Sequence, residues 1–117
     1  MLRKKYRFHS RGGVKYVYQK GKTVRKPKMS LVSCVNTKGY TRVAVVVSKK
    51  VEKLAVNRNR IRRRVYEAIR LEFDDVPKKR DYIFVVYSKE IATLPFEELK
   101  KLVSGLVEEM CYNGSNG

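Results

Sequence analysis

The sequence predicts a single α/β domain, in which β-branched strands form a sheet and amphipathic helices cover it. Three observations carry that prediction. Apolar runs with Val at 29–35 and 41–48, and with Val, Ile and Tyr at 82–87, have the composition and length of strands. Apolar residues recur with a period near 3.6 in 58–73 and again in 96–110, the pattern of helices that bury one face. The length of 117 residues supports one domain spanning 1–117, and a hydrophobic share of 43% leaves enough apolar material for a core.

Taken in order, residues 1–28 are polar, and the ends at 1–10 and 113–117 are expected to be flexible. Gly13 to Lys20 fits a short helix stopped by Gly21, or a strand, because Val14, Tyr16 and Tyr18 alternate. Lys22 to Lys28 reads as a basic connection broken by Pro27. Met29 to Val35 is a β-run, and Asn36-Thr37-Lys38-Gly39 supplies hairpin-turn chemistry. Thr41 to Ser48 follows, its valines marking a strand buried over much of both faces, and the two runs are expected to pair antiparallel. Ile61, Val65, Ala68, Ile69 and Phe73 form the stripe of the first long helix, with Asn57 as N-cap and Asp74-Asp75-Val76-Pro77 as stop. Tyr82 to Tyr87 is the third strand. Pro95 then opens a last helix whose apolar face is Phe96, Leu99, Val103, Leu106, Val107 and Met110.

No run approaches the roughly 18 apolar residues that span a bilayer, and Met1-Leu2-Arg3-Lys4-Lys5 leads into more charge. No membrane partner is expected. Cys34 and Cys111 lack metal-ligand or CxxC spacing, which suits reduced thiols in the cytoplasm.

Charge is the strongest functional signal. The chain carries 28 Lys and Arg against 11 acids, a net of +17. Residues 1–70 hold 22 of those cations and only Glu52 and Glu67, a net of +20, while residues 71–117 come to −3. One part of the chain is built to meet a polyanion.

That charge is sharpest in Arg58-Asn59-Arg60-Ile61-Arg62-Arg63-Arg64. On a helix, Asn59, Arg60, Arg63, Glu67 and Arg70 lie opposite the apolar stripe, and Arg62 and Arg64 flank it. A helix start normally favours acids, because its free N–H groups and dipole are positive. Here arginines occupy the first turns, an arrangement that an incoming phosphate relieves with N–H groups, dipole and guanidinium forks together. Lys49 and Lys50 close the valine strand shortly before this segment, and their charges are expected to join the same surface. Tyr6, Phe8, Tyr16 and Tyr18 are interleaved with cations including Arg11 and Lys15, which pairs stacking faces with backbone-binding charge, as single-stranded nucleic acid requires.

Catalytic groups are scarce. His9 is the only histidine, Glu52 and Glu67 are the only acids in the basic part, and Asp74, Asp75 and Asp81 are better clustered but lie outside the arginine ridge in sequence. The chain reads as a binder with no small-molecule substrate. The alternatives are a structural RNA-binding protein without a part in cleavage, and an autonomous nuclease built on those aspartates.

Ser48-Lys49-Lys50, then Ala55-Val56-Asn57-Arg58-Asn59-Arg60-Ile61-Arg62-Arg63 and Glu67-Ala68, resemble the bacterial ribonuclease P protein family. Its hallmark is an arginine-asparagine-arginine motif on a helix following a strand that ends in Ser-Lys-Lys. The resemblance implies an α+β two-layer sandwich similar to the second domain of ribosomal protein S5. That fold has a small, mostly antiparallel sheet, three helices and a left-handed βαβ crossover. It also implies a tRNA-processing ribonucleoprotein whose partners are ribonuclease P RNA and precursor tRNA. Hydrolysis of the 5′ leader junction is then the work of the RNA subunit with Mg2+. By position, Arg58, Asn59, Arg60, Arg62, Arg63, Arg64, Lys49 and Lys50 would contact RNA. Tyr18, Tyr16, Val14, Arg11 and Lys15 would line the cleft for the leader. Val14 stands where the family carries phenylalanine, and the segment from Lys50 to Arg58 is one residue longer than usual.

Overall fold

The computed structural model describes residues 20–35, 41–72 and 80–114. Four strands, β1 (Lys22–Arg25), β2 (Met29–Val35), β3 (Arg42–Val47) and β4 (Arg80–Val86), form one sheet in the order β1-β2-β4-β3. Helix α1 (Ala55–Glu72) connects β3 to β4. A 3-10 turn (Lys89–Ala92) leads into helix α2 (Phe96–Gly114), which runs into the tail expected to be flexible. Residues 13–19, read as helix or strand, lie outside the described residues, as do 36–39 and 73–79.

Two strand expectations are corrected. The runs at 29–35 and 41–48 are not neighbours. β4 lies between them, antiparallel to β2 and parallel to β3. The physical reason is burial: Tyr82, Ile83, Phe84 and Val86 are all 2% exposed or less, so β4 takes the central place where both faces and both edges are covered. A parallel β3–β4 pair needs a crossover, and α1 supplies it. The basic connection at 22–28 is in part a strand, pairing with β2 from Lys22↔Ser33 to Arg25↔Ser30. The Lys26 N–H donates to Met29 O at 3.0 Å across the turn, while Pro27, which lacks a donor, sits in the loop. Charged Lys22 and Arg25 suit an edge strand, where they discourage pairing with another chain.

Alternation along the strands divides the sheet into two faces. Leu31, Val43, Val45, Val47, Tyr82, Phe84 and Val86 face α1 and α2 and form the main core with Ile61, Val65, Ala68, Ile69, Leu99, Val103 and Leu106. Val32, Ala44 and Ile83 make a second cluster on the opposite face. The stripe of α1 is as expected at Ile61, Val65, Ala68 and Ile69, with Tyr66, 3% exposed, added to it, while Phe73 lies outside the described residues. The last helix also buries its predicted face, except that Phe96 at its first position is 37% exposed. Pro95 O accepts from Glu98 N–H and Leu99 N–H at 2.9 and 3.0 Å, so the proline precedes the first turn.

A buried ion pair fixes the parallel register. Arg42 and Asp81 are opposed across β3 and β4, and Arg42 Nε and Nη2 donate to Asp81 Oδ1 and Oδ2, both at 2.8 Å. That bidentate fork binds one register and penalises a one-residue slip, which would strand both charges. On the other side of β4, Arg80 Nε donates to Ser33 Oγ at 3.0 Å.

Candidate nucleic-acid interface

The arginine motif sits at the start of α1, and that start differs from the sequence expectation. The helix begins at Ala55, two residues before Asn57. Leu54 takes the capping position, its carbonyl accepting from Asn57 N–H at 3.1 Å and Arg58 N–H at 3.0 Å. The connection from β3 is a tight turn in which Ser48 O accepts from Val51 and Glu52 N–H, at 3.1 and 3.2 Å. This turn leaves Lys49 and Lys50 exposed beside the helix start. The first turn of α1 contains no acid.

The arginines divide by the work each side chain does. Arg58 Nη1 folds back on Glu52 O at 3.0 Å and Lys53 O at 2.7 Å, bracing the connection it follows. Arg62 Nη1 donates to Asn59 Oδ1 at 2.5 Å, which orients both side chains along the helix. Arg64 reaches the other way. Its Nη1 donates to Ile91 O at 2.6 Å and its Nη2 to Leu94 O, clamping α1 onto the 3-10 turn. Arg60 and Arg63 are exposed and make no hydrogen bond or ion pair among the described residues. They project from the face opposite Ile61 and Val65, so two guanidinium forks face solvent from a rigid helix.

Arg64, like Arg58, thus differs from Arg60 and Arg63, because its guanidinium already has carbonyl acceptors inside the fold. Sequence could not separate it from Arg63, since the acceptors come from a turn nearly thirty residues later. That turn also builds a depression of about 370 Å³ beside the helix start, lined by Glu52, Asn57, Arg60, Lys89, Glu90 and Thr93. Lys89 enters the surface only through folding. Predicted cleft residues Arg11, Val14, Lys15, Tyr16 and Tyr18 lie outside the described residues.

Asp81, one of the aspartates weighed for an autonomous nuclease, is 3% exposed and held by Arg42. Its environment makes it a structural partner of a cation. Asp74 and Asp75 lie outside the described residues. Among the described residues no helix is long and apolar enough to cross a membrane.

A family model for ribonuclease P matches residues 2–111. The ribonuclease P protein component of Chloroflexus aurantiacus is 32% identical over 110 residues, covering 94% of this chain and 81% of that protein. The chain belongs to the ribonuclease P protein family. Another member of the family, the ribonuclease P protein component of Clostridioides difficile, is 37% identical over 94 residues, 79% of this chain and 80% of that protein. Solved structures agree on the fold. The Thermotoga maritima ribonuclease P protein superposes with a TM-score of 0.78 at 23% identity, over 88% of this chain and 96% of that one. The Staphylococcus aureus protein gives 0.75 at 21%, over 88% and 93%. The α+β class predicted from the sequence is therefore that of the family.

Proposed function

We propose that this chain is the protein subunit of a ribonuclease P, holding a catalytic RNA and a precursor tRNA in register for removal of the 5′ leader. One observation carries the reading: Arg60 and Arg63 stand exposed and unpaired on a helix start that contains no acid, in a member of the ribonuclease P protein family. Their forks screen phosphate repulsion and fix the orientation of a backbone that carries no sequence information for them to read. Lys49, Lys50 and Lys89 add charge at the same corner. The aromatic and basic residues Arg11, Lys15, Tyr16 and Tyr18 supply the leader contact.

Phosphodiester hydrolysis belongs to the RNA subunit, and Mg2+ is held there. Among the described residues no three His, Cys, Asp or Glu side chains are grouped to hold a metal ion. Glu52 Oε1 accepts from Leu54 N–H at 3.2 Å, and Glu90 pairs with Lys28 at 3.3 Å. The protein's contribution is positional and electrostatic, and its compartment is that of its substrate, the cytoplasm.

Reconstitution tests this directly. The chain is combined with a bacterial ribonuclease P RNA and precursor tRNA at low Mg2+, where phosphate repulsion limits the RNA alone. Cleavage at the leader junction is expected to rise steeply on adding the protein, and protein without RNA is expected to leave the substrate intact. Unchanged cleavage by the RNA would sink the reading, and cleavage by protein alone would move catalysis to the polypeptide.

A further inference from the structure

Two aliphatic side chains at the head of α1 are exposed where helix chemistry favours neither. Leu54 is 63% exposed and Val56 74%. Leu54 occupies the capping position, which prefers Ser, Thr, Asp or Asn. Val56 is β-branched, in a first turn where acids are favoured. Neither residue is explained by the helix it begins, and neither packs into the main core.

Their position is specific. Val56, Asn59, Arg60 and Arg63 are spaced i, i+3, i+4 and i+7, so they share one face of α1, and all four are exposed. Leu54 sits at the tip of that face, next to exposed Lys53 and just after exposed Lys49 and Lys50. The one acid in the connection, Glu52, turns a carboxylate oxygen to the Leu54 N–H. An apolar tip among Lys49, Lys50, Lys53, Arg60 and Arg63, with Glu52 as the acid beside it, does not suit an apolar protein partner, whose approach would strip water from those charges without pairing them. It does suit RNA, whose phosphates meet the cations while an unstacked base offers an apolar face.

We propose that Leu54 and Val56 form an apolar contact with an unstacked nucleobase of the RNA subunit, beside the phosphates taken by Arg60 and Arg63. This rests on the ribonuclease P reading above. The contact makes the interface two-part, with arginines giving salt-dependent affinity and the aliphatic tip giving a salt-independent increment.

The test uses equilibrium binding of the full chain to ribonuclease P RNA across a salt series. Leu54→Ser with Val56→Ser is expected to weaken binding about tenfold, from partial loss of two aliphatic contacts. The slope of log K against log salt is expected to stay that of wild type. Leu54→Met with Val56→Leu restores affinity, and circular dichroism melts show both pairs folded as wild type. Unchanged affinity in the serine pair, or a loss accompanied by a flatter salt slope, would overturn the proposal. Wild type that fails to bind the RNA would overturn this proposal together with the reading beneath it, while binding with an inert tip overturns this one alone.

Discussion

Replacing Arg64 with alanine removes the two hydrogen bonds that tie α1 to Ile91 O and Leu94 O. Both are donated by a charged group in a part-buried setting. Such bonds contribute about 1.5–3 kcal/mol each when measured singly, but these two share one side chain and water reaches the freed carbonyls in part. A combined loss of about 2 kcal/mol is the working value. For a chain of 117 residues the unfolding entropy is about 0.25 kcal/mol/K, which converts that loss into a melting point lower by about 8 °C. Arg64→Lys keeps the charge without the fork and is expected to recover about half of it. The same thermal melt on Arg60→Ala and Arg63→Ala is expected to stay within about 2 °C of wild type, as for other solvent-facing positions. RNA binding reverses the ranking. Arg60→Ala and Arg63→Ala each flatten the salt slope by about 0.7–0.9 for a lost phosphate contact, and Arg64→Ala leaves the slope alone. An Arg64→Ala protein that melts with wild type yet loses salt dependence would refute the division, because its guanidinium would then act on RNA and not on the turn.

Asp81→Asn leaves Arg42 charged against a neutral amide at a site where the carboxylate is nearly inaccessible. It is expected to lower stability in urea unfolding by about 3–5 kcal/mol, whereas Arg42→Met with Asp81→Leu is expected to lose much less. Ile61→Ala empties a fully buried position between α1 and the sheet and should cost about 2–5 kcal/mol in the same assay. Gly105→Ala goes the other way. A Cβ there meets nothing within 4 Å, so removing a mid-helix glycine should raise the melting point by about 2–4 °C.

Much of the architecture was readable before folding, because periodicity reports which side of an element is buried. Ile61, Val65, Ala68 and Ile69 were identified as a core stripe by spacing alone, and each is 2% exposed or less. Placing Arg60 and Arg63 on the outward face followed from the same geometry. β1 was harder to see, since an edge strand carrying Lys22 and Arg25 lacks the apolar alternation that marks a half-buried one. The start of α1 was misplaced by three residues, because Asn57 has the better capping side chain but Leu54 supplies the carbonyl that begins the helix.

The charge division, the motif at 58–60, the amphipathic stripes and the α+β class are properties of local order and composition, and the sequence by itself determined them. Strand order was decided only by tertiary structure. The valine run at 43–47 satisfies its burial beside β4 as well as it would beside β2, and hydrophobic pattern does not distinguish partners. Only the register of the Arg42–Asp81 pair and the crossover through α1 select one. The roles of neighbouring arginines were likewise decided by tertiary structure. Arg63 and Arg64 are chemically identical and adjacent, and the carbonyls of a distant 3-10 turn make one of them a clamp while the other faces solvent.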